Sequence, residues 1–69
     1  MLGVRDAVKA KDTIITGMGT IVAKGTRGTV LWVAESGETC KVQFFHADGT
    51  VGELIDCQSN DVVLIYDNE

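Results

Sequence analysis

The stretch TCKVQFFHADGTVGELIDC, residues 39–57, decides the fold. In residues 39–45 apolar and polar side chains alternate, which is the period-two pattern of a half-buried β-strand. Asp48-Gly49 then lies between two apolar runs. This dipeptide is the strongest short-range signal for a β-hairpin, because both central residues of a type I′ turn have positive φ. The stretch therefore predicts two antiparallel strands, residues 39–45 and residues 50–57, joined by a two-residue loop.

The same loop predicts how the only two cysteines of the chain are placed. A two-residue loop at Asp48-Gly49 puts Cys40 directly opposite Cys57, within reach of a disulfide bond. We expect two reduced, buried core residues instead, because free cysteine is among the most buried residue types. No secretory hydrophobic region follows Met1, which predicts a cytoplasmic protein. Whether the two thiols ever pair is left open by the sequence.

Three further strands are predicted outward from this hairpin. Residues 27–34 (RGTVLWVA) are rich in β-branched residues and precede the turn-forming residues 35–38. Residues 62–66 (VVLIY) form an apolar last strand after a short polar turn. Residues 6–15 are predicted as one strand, followed by a long glycine-containing loop. Five strands with these connections can close into a small barrel, which removes the unpaired edges of an open sheet.

A glycine pattern in the middle of the chain adds a resemblance. Lys24-Gly25-Thr26-Arg27-Gly28-Thr29-Val30, followed by Val42-Gln43-Phe44, resembles the KGxxGxV…VxF pattern of KOW-type and other SH3-like barrels, including small bacterial families. The resemblance covers about residues 5–66. It implies that residues 1–69 form a single domain, an all-β, five-stranded SH3-like barrel. Glycines and turn residues carry this pattern, so it specifies a fold better than a function.

Composition excludes several classes of function. The formal net charge is −4, with +3 in residues 1–34 and −7 in residues 35–69. An acidic chain is not typical of a general nucleic-acid binder, because neutralising phosphates supplies most non-specific affinity. No run of 18 apolar residues is present, so we expect no membrane partner.

No catalytic, cofactor-binding or metal-binding signature is evident. The single histidine, His46, lies two residues before Asp48, and this pair could stabilise a turn as readily as orient a catalytic base. One histidine and two distant thiols do not make a zinc site. Gly17-Met18-Gly19 lacks the following helix that a phosphate-binding loop requires. We therefore expect no enzyme, no cofactor and no metal.

The strand at residues 27–34 is apolar on both faces, and this suggests an interface. Strict alternation places Trp32 on one face, and Leu31 and Val33 on the other. A barrel this small has one interior, so large apolar side chains stay outside. Phe45 lies on the outer face of the next strand, and an exposed apolar patch marks an interaction site. The sequence predicts a non-enzymatic interaction module, self-associating or part of a larger complex, with Leu31, Trp32, Val33 and Phe45 at the interface.

A second hypothesis is a nucleic-acid-binding or ribonucleoprotein-binding barrel. It would use the basic side chains of the first half together with Trp32, namely Lys9, Lys11, Lys24 and Arg27. Nucleic-acid modules usually interleave aromatic and basic side chains, and this half of the chain has no other aromatic residue. The nucleic-acid hypothesis is therefore the alternative, and a steep salt dependence of binding would distinguish it.

Overall fold

The computed structural model describes residues 2–65, in which seven strands form two antiparallel sheets. Residues 1 and 66–69 lie outside the described residues, including the end of the predicted last strand. In chain order the elements are β1 (Ala7–Ala10), β2 (Ile14–Ile15), β3 (Ile21–Val22), β4 (Arg27–Val33), β5 (Thr39–Phe45), β6 (Val51–Gln58), a 3₁₀ turn (Ser59–Asp61) and β7 (Val62–Leu64).

The larger sheet has five strands in the order β6-β5-β4-β1-β7, so the all-β prediction is confirmed. The single first strand predicted at residues 6–15 is wrong, because it breaks after Ala10. At that point the backbone changes partners: Ala10 N–H donates to Thr26 O at 2.8 Å, whereas Lys11 N–H donates to Asp61 O at 2.9 Å. The chain then bends away from the large sheet and continues into β2.

The large sheet is open in the described part of the chain. β6 and β7 are its two edges, and no ladder joins them within residues 2–65. Closure of five strands into a barrel therefore stays a prediction.

One face of the large sheet carries the core. Its most deeply buried side chains are Val8, Val30, Cys40 and Val42, and β3 adds Val22. β4 and β5 approach closely at Gly28, where a Cβ atom would lie 2.8 Å from both Gln43 O and Val42 Cγ1. No buried polar or charged residue lies among residues 2–65, so the core is entirely apolar.

The half of the β5–β6 hairpin far from the loop has the predicted register, but the turn is not the predicted one. Cys40 lies opposite Cys57, as expected, and Gly49 has φ +88°. The type I′ turn is wrong, because Asp48 does not share the positive φ. Instead His46 N–H donates to Thr50 O at 2.8 Å and Gly49 N–H donates to His46 O at 2.9 Å. This is the pattern of a three-residue loop that ends in a glycine bulge.

A second irregularity then restores the register. The three-residue loop pairs Phe45 with Val51, but Gln43 pairs with Leu54, so β6 contains one residue more than β5 between these two pairs. An extra residue of this kind is a β-bulge. The two one-residue changes cancel, which is why the distal half of the hairpin matches the prediction.

β2 and β3 form a short hairpin where the sequence predicts an irregular loop. Ile15 lies opposite Ile21, and Thr16 N–H donates to Thr20 O at 2.9 Å. Gly19 N–H donates to Thr16 O at 3.0 Å, and Gly19 has φ +89°. The connection therefore repeats the three-residue loop of the β5–β6 hairpin.

Candidate functional site

A β-bulge in β4 determines which apolar side chains lie outside. Val30 pairs with Val42 and Trp32 pairs with Lys41, so Leu31 is an extra residue. A bulge interrupts the alternation of a strand. As a result both Leu31 and Trp32 are exposed, by 45% and 46% respectively. The outer patch of Leu31 and Trp32 is thus made by two neighbouring residues.

Val33 does not belong to this exposed set, which corrects the predicted alternation. After the bulge it pairs with buried Cys40 and packs partly buried against the core. The strict period of two placed Val33 with Leu31, but the bulge returns Val33 to the core face. Of the three predicted residues on β4, the structure leaves Leu31 and Trp32 available for contact.

The Trp32 ring lies beside a charged cross-strand neighbour. Lys41 Nζ lies 5.7 Å from the centre of the indole ring and 3.7 Å from Asp56 Oδ1. Lys41 also pairs with both Trp32 and Asp56 in the ladders, so the three side chains form one row. A cation above an aromatic face is attracted to the ring, so Lys41 favours this position of the indole.

Phe45 lies away from the outer patch. It is four residues along β5 from Lys41, a separation of roughly 13 Å at the usual rise of a strand. It is half-buried and lies opposite Val51. The structure therefore does not bring the four predicted interface residues together.

Two of the four predicted basic residues line one groove at the other end of the sheet, and a third is a cross-strand neighbour of one of them. Lys9 lies opposite Arg27 in the β1–β4 ladder. Lys24 and Arg27 line a groove of about 620 Å³ that also contains Phe45 and His46. Lys11 does not line this groove. The groove supplies the combination of aromatic and basic side chains that is missing from the linear sequence.

The β2–β3 hairpin carries exposed apolar residues that the sequence analysis did not identify. Ile15 and Ile21 are 71% and 66% exposed, and Met18 at the tip is 96% exposed. The sequence does contain a signal for this hairpin. Gly19-Thr20 ends its loop just as Gly49-Thr50 ends the β5–β6 loop, and the two loops have equal length. Apolar residues flank Thr16–Thr20 as they flank the second loop, so the same hairpin pattern could have been recognised.

The carboxylate of Asp48 stabilises its turn through Thr50. Asp48 Oδ1 accepts the Thr50 hydroxyl at 2.6 Å and the Thr50 N–H at 2.9 Å. The hydroxyl hydrogen bond is the main cause that lowers the pKa of Asp48 below its usual 3.8. In residues 2–65 no three His, Cys, Asp or Glu side chains lie together as metal ligands would.

The thiols of Cys40 and Cys57 are both buried and lie in contact with each other. Burial, followed by the hydrogen bond with Cys40, raises the pKa of Cys57 to about 12. A thiol that stays protonated is a poor nucleophile and a poor metal ligand. Both cysteines therefore contribute to the core, and the Cys57 thiol is a poor nucleophile.

Comparisons with known proteins name no relative. No protein-family model matches the chain, and neither a curated protein nor a solved structure is significantly similar to it. Among residues 2–65 no helix has the length and hydrophobicity needed to cross a bilayer. Function is therefore inferred from the chemistry of the exposed surfaces.

Proposed function

We propose that this chain is a non-enzymatic protein-interaction module that pairs with a second copy of itself through the outer patch of Leu31 and Trp32. The observation that supports this most is the bulge, which exposes two adjacent large apolar side chains. Burying one such side chain contributes about 1.5–3 kcal/mol. A domain of this size has a small core, and a partner chain adds stability to it.

The charges beside the patch favour a second copy as the partner. A two-fold interface brings the same patch of both subunits together. Lys41 and Asp56 have opposite charges; Lys41 lies next to Trp32 in the cross-strand row, and Asp56 lies next to Lys41. Lys41 of one subunit can then meet Asp56 of the other while the two indole rings pack. The patch is complementary to itself in charge as well as in hydrophobicity.

We also propose that the open sheet is a partly closed SH3-like barrel of the KOW type, and that the protein works in the cytoplasm. Two features support the barrel. β6 leads through the single 3₁₀ turn directly into β7. Cys57 of one edge strand and Val62 of the other belong to the same buried cluster. Two reduced cysteines agree with a cytoplasmic location.

Solution mass tests the self-association. Light scattering of the wild-type chain at micromolar concentration should give the mass of a dimer. The variant Trp32→Ser should be a monomer and keep the β-rich circular dichroism spectrum. Met18→Ser is the matched control, because it removes an even more exposed apolar side chain outside the patch. A wild-type monomer at millimolar concentration would contradict the proposal.

The groove around Arg27 favours nucleic-acid binding as a second candidate function. Its aromatic and basic lining resembles surfaces that stack bases and neutralise phosphates. The test is fluorescence anisotropy of a labelled single-stranded RNA, with affinity falling steeply between about 50 and 200 mM salt. Arg27→Gln should weaken binding, and Lys11→Gln, which removes the same charge outside the groove, should not. An RNA affinity that does not change with salt concentration would exclude nucleic-acid binding through this groove.

A further inference from the structure

The free edge of β6 borders a groove. Within residues 2–65 β6 has a ladder with β5 alone, so its other edge has no strand partner. The opposite wall of the groove is the β2–β3 hairpin, and Thr20 Oγ1 donates to Glu53 Oε2 across it at 3.2 Å. An edge with unpaired N–H and C=O groups can accept another strand.

The lining of this groove combines apolar and acidic side chains. Ile14, Ile15, Met18 and Leu54 supply the apolar surface. The acidic side chains at its margin are Glu53, Asp56 and Asp61. The groove encloses about 530 Å³, a volume within the range of binding clefts in proteins.

We propose that this groove binds an extended segment of another protein, which adds as a strand to β6 and alternates apolar with basic side chains. Strand addition supplies affinity through main-chain hydrogen bonds, and side-chain pockets supply specificity. Apolar side chains on one face of the segment would pack on the hairpin wall. Lys or Arg side chains on its other face would meet Asp56, which lies with Lys41 on the outer face of β6. The partner's positive charge also offsets the −7 of residues 35–69.

Charge favours a different chain over a second copy of β6 as the occupant. β6 carries Glu53 and Asp56 and no basic residue, so a second β6 would add negative charge beside the acidic lining of the groove. The inference therefore concerns a different partner at the free edge of β6. It shares only Asp56 with the self-association surface and does not rest on self-association through Trp32.

A peptide titration tests the inference. The probe is a capped decapeptide of alternating lysine and valine, added to ¹⁵N-labelled protein while amide shifts are recorded. Shifts and slowed hydrogen exchange should appear at the amides of β6. Two control peptides keep the length: one has glutamate for lysine, and one has N-methyl groups on alternate amides, which block main-chain pairing. Neither control should bind.

Two charge-matched variants separate the groove from general acidity. Asp56→Asn should weaken peptide binding roughly threefold, as expected for one lost ion pair. Glu35→Gln removes the same charge at the exposed β4–β5 turn and should leave affinity unchanged. Trp32→Ser should also bind the peptide normally, which keeps this test separate from that of self-association.

Several results would overturn the inference. These are absence of shifts at β6, equal binding of the glutamate peptide, equal binding of the N-methylated peptide, or equal weakening by Asp56→Asn and Glu35→Gln.

Discussion

The sulfur of Cys40 lies 3.6 Å from the sulfur of Cys57, across two adjacent strands and inside the core. Both residues are free cysteines and both are buried. The pair closes the core at the end of the hairpin far from its loop, and the stability of this region can be measured through the thiols.

Thiol labelling should be slow in the folded protein. Burial and the raised pKa of Cys57 leave little thiolate at neutral pH. At pH 8 an aromatic disulfide reagent should therefore label the folded protein only as fast as the protein unfolds. In urea, where the chain is unfolded, both thiols should be labelled rapidly. Fast labelling of both cysteines without denaturant would show that the core is open.

Alkaline pH should destabilise the protein through Cys57. The pKa of this thiol is about 12 in the folded state, against an ordinary value of 9.0. Between these values the unfolded chain releases a proton that the folded chain keeps, so stability is lost as pH rises. By about pH 11 the loss should be about 1–3 kcal/mol. Urea unfolding at several pH values should give a steeper decline for wild type than for Cys57→Ala, and equal slopes would contradict this.

Gly28→Ala should destabilise the sheet. The added methyl group would lie 2.8 Å from the backbone oxygen of Gln43, so β4 and β5 would have to separate. Overpacking of this kind costs about 1–3 kcal/mol. Gly17→Ala is the control, because its methyl group would meet no atom within 4 Å. A melting temperature for Gly28→Ala equal to that of the control would refute the close approach.

Gly49→Val should strain the β5–β6 loop. Gly49 has φ +88°, a region that a β-branched residue rarely adopts. The expected cost is about 1–3 kcal/mol, measured by urea unfolding. Gly17→Val serves as the control at a loop glycine without positive φ. Equal stability of the two variants would mean that the loop has another conformation.

Much of the fold could be predicted because it depends on alternation and on glycine. The strands at residues 39–45 and 50–57 follow from alternating side chains and from Gly49. The break after Ala10 could not be predicted, because it arises where two distant residues, Thr26 and Asp61, accept neighbouring N–H groups.

The candidate site was less predictable, because it depends on bulges. Leu31, Trp32 and Val33 are consecutive apolar residues, and nothing in their order shows where an extra residue is inserted. The position of the bulge is set by the pairing of β4 with β5, so it depends on both strands and cannot be found from β4 alone. The sequence therefore predicted Leu31 and Trp32 as outward-facing candidates, and both are exposed, but it also included Val33, which packs against the core.

The ladder between β1 and β7 has a consequence for the order of folding. It pairs Ala10 with Val62, 52 positions apart, whereas β4, β5 and β6 are joined by short turns. Closing a long loop costs more entropy than closing a short one, and distant contacts slow folding. We expect the three-stranded meander to form the folding nucleus and the ladder of β1 with β7 to form after the rate-limiting step. Val42→Ala should then slow refolding, and Val62→Ala should mainly accelerate unfolding.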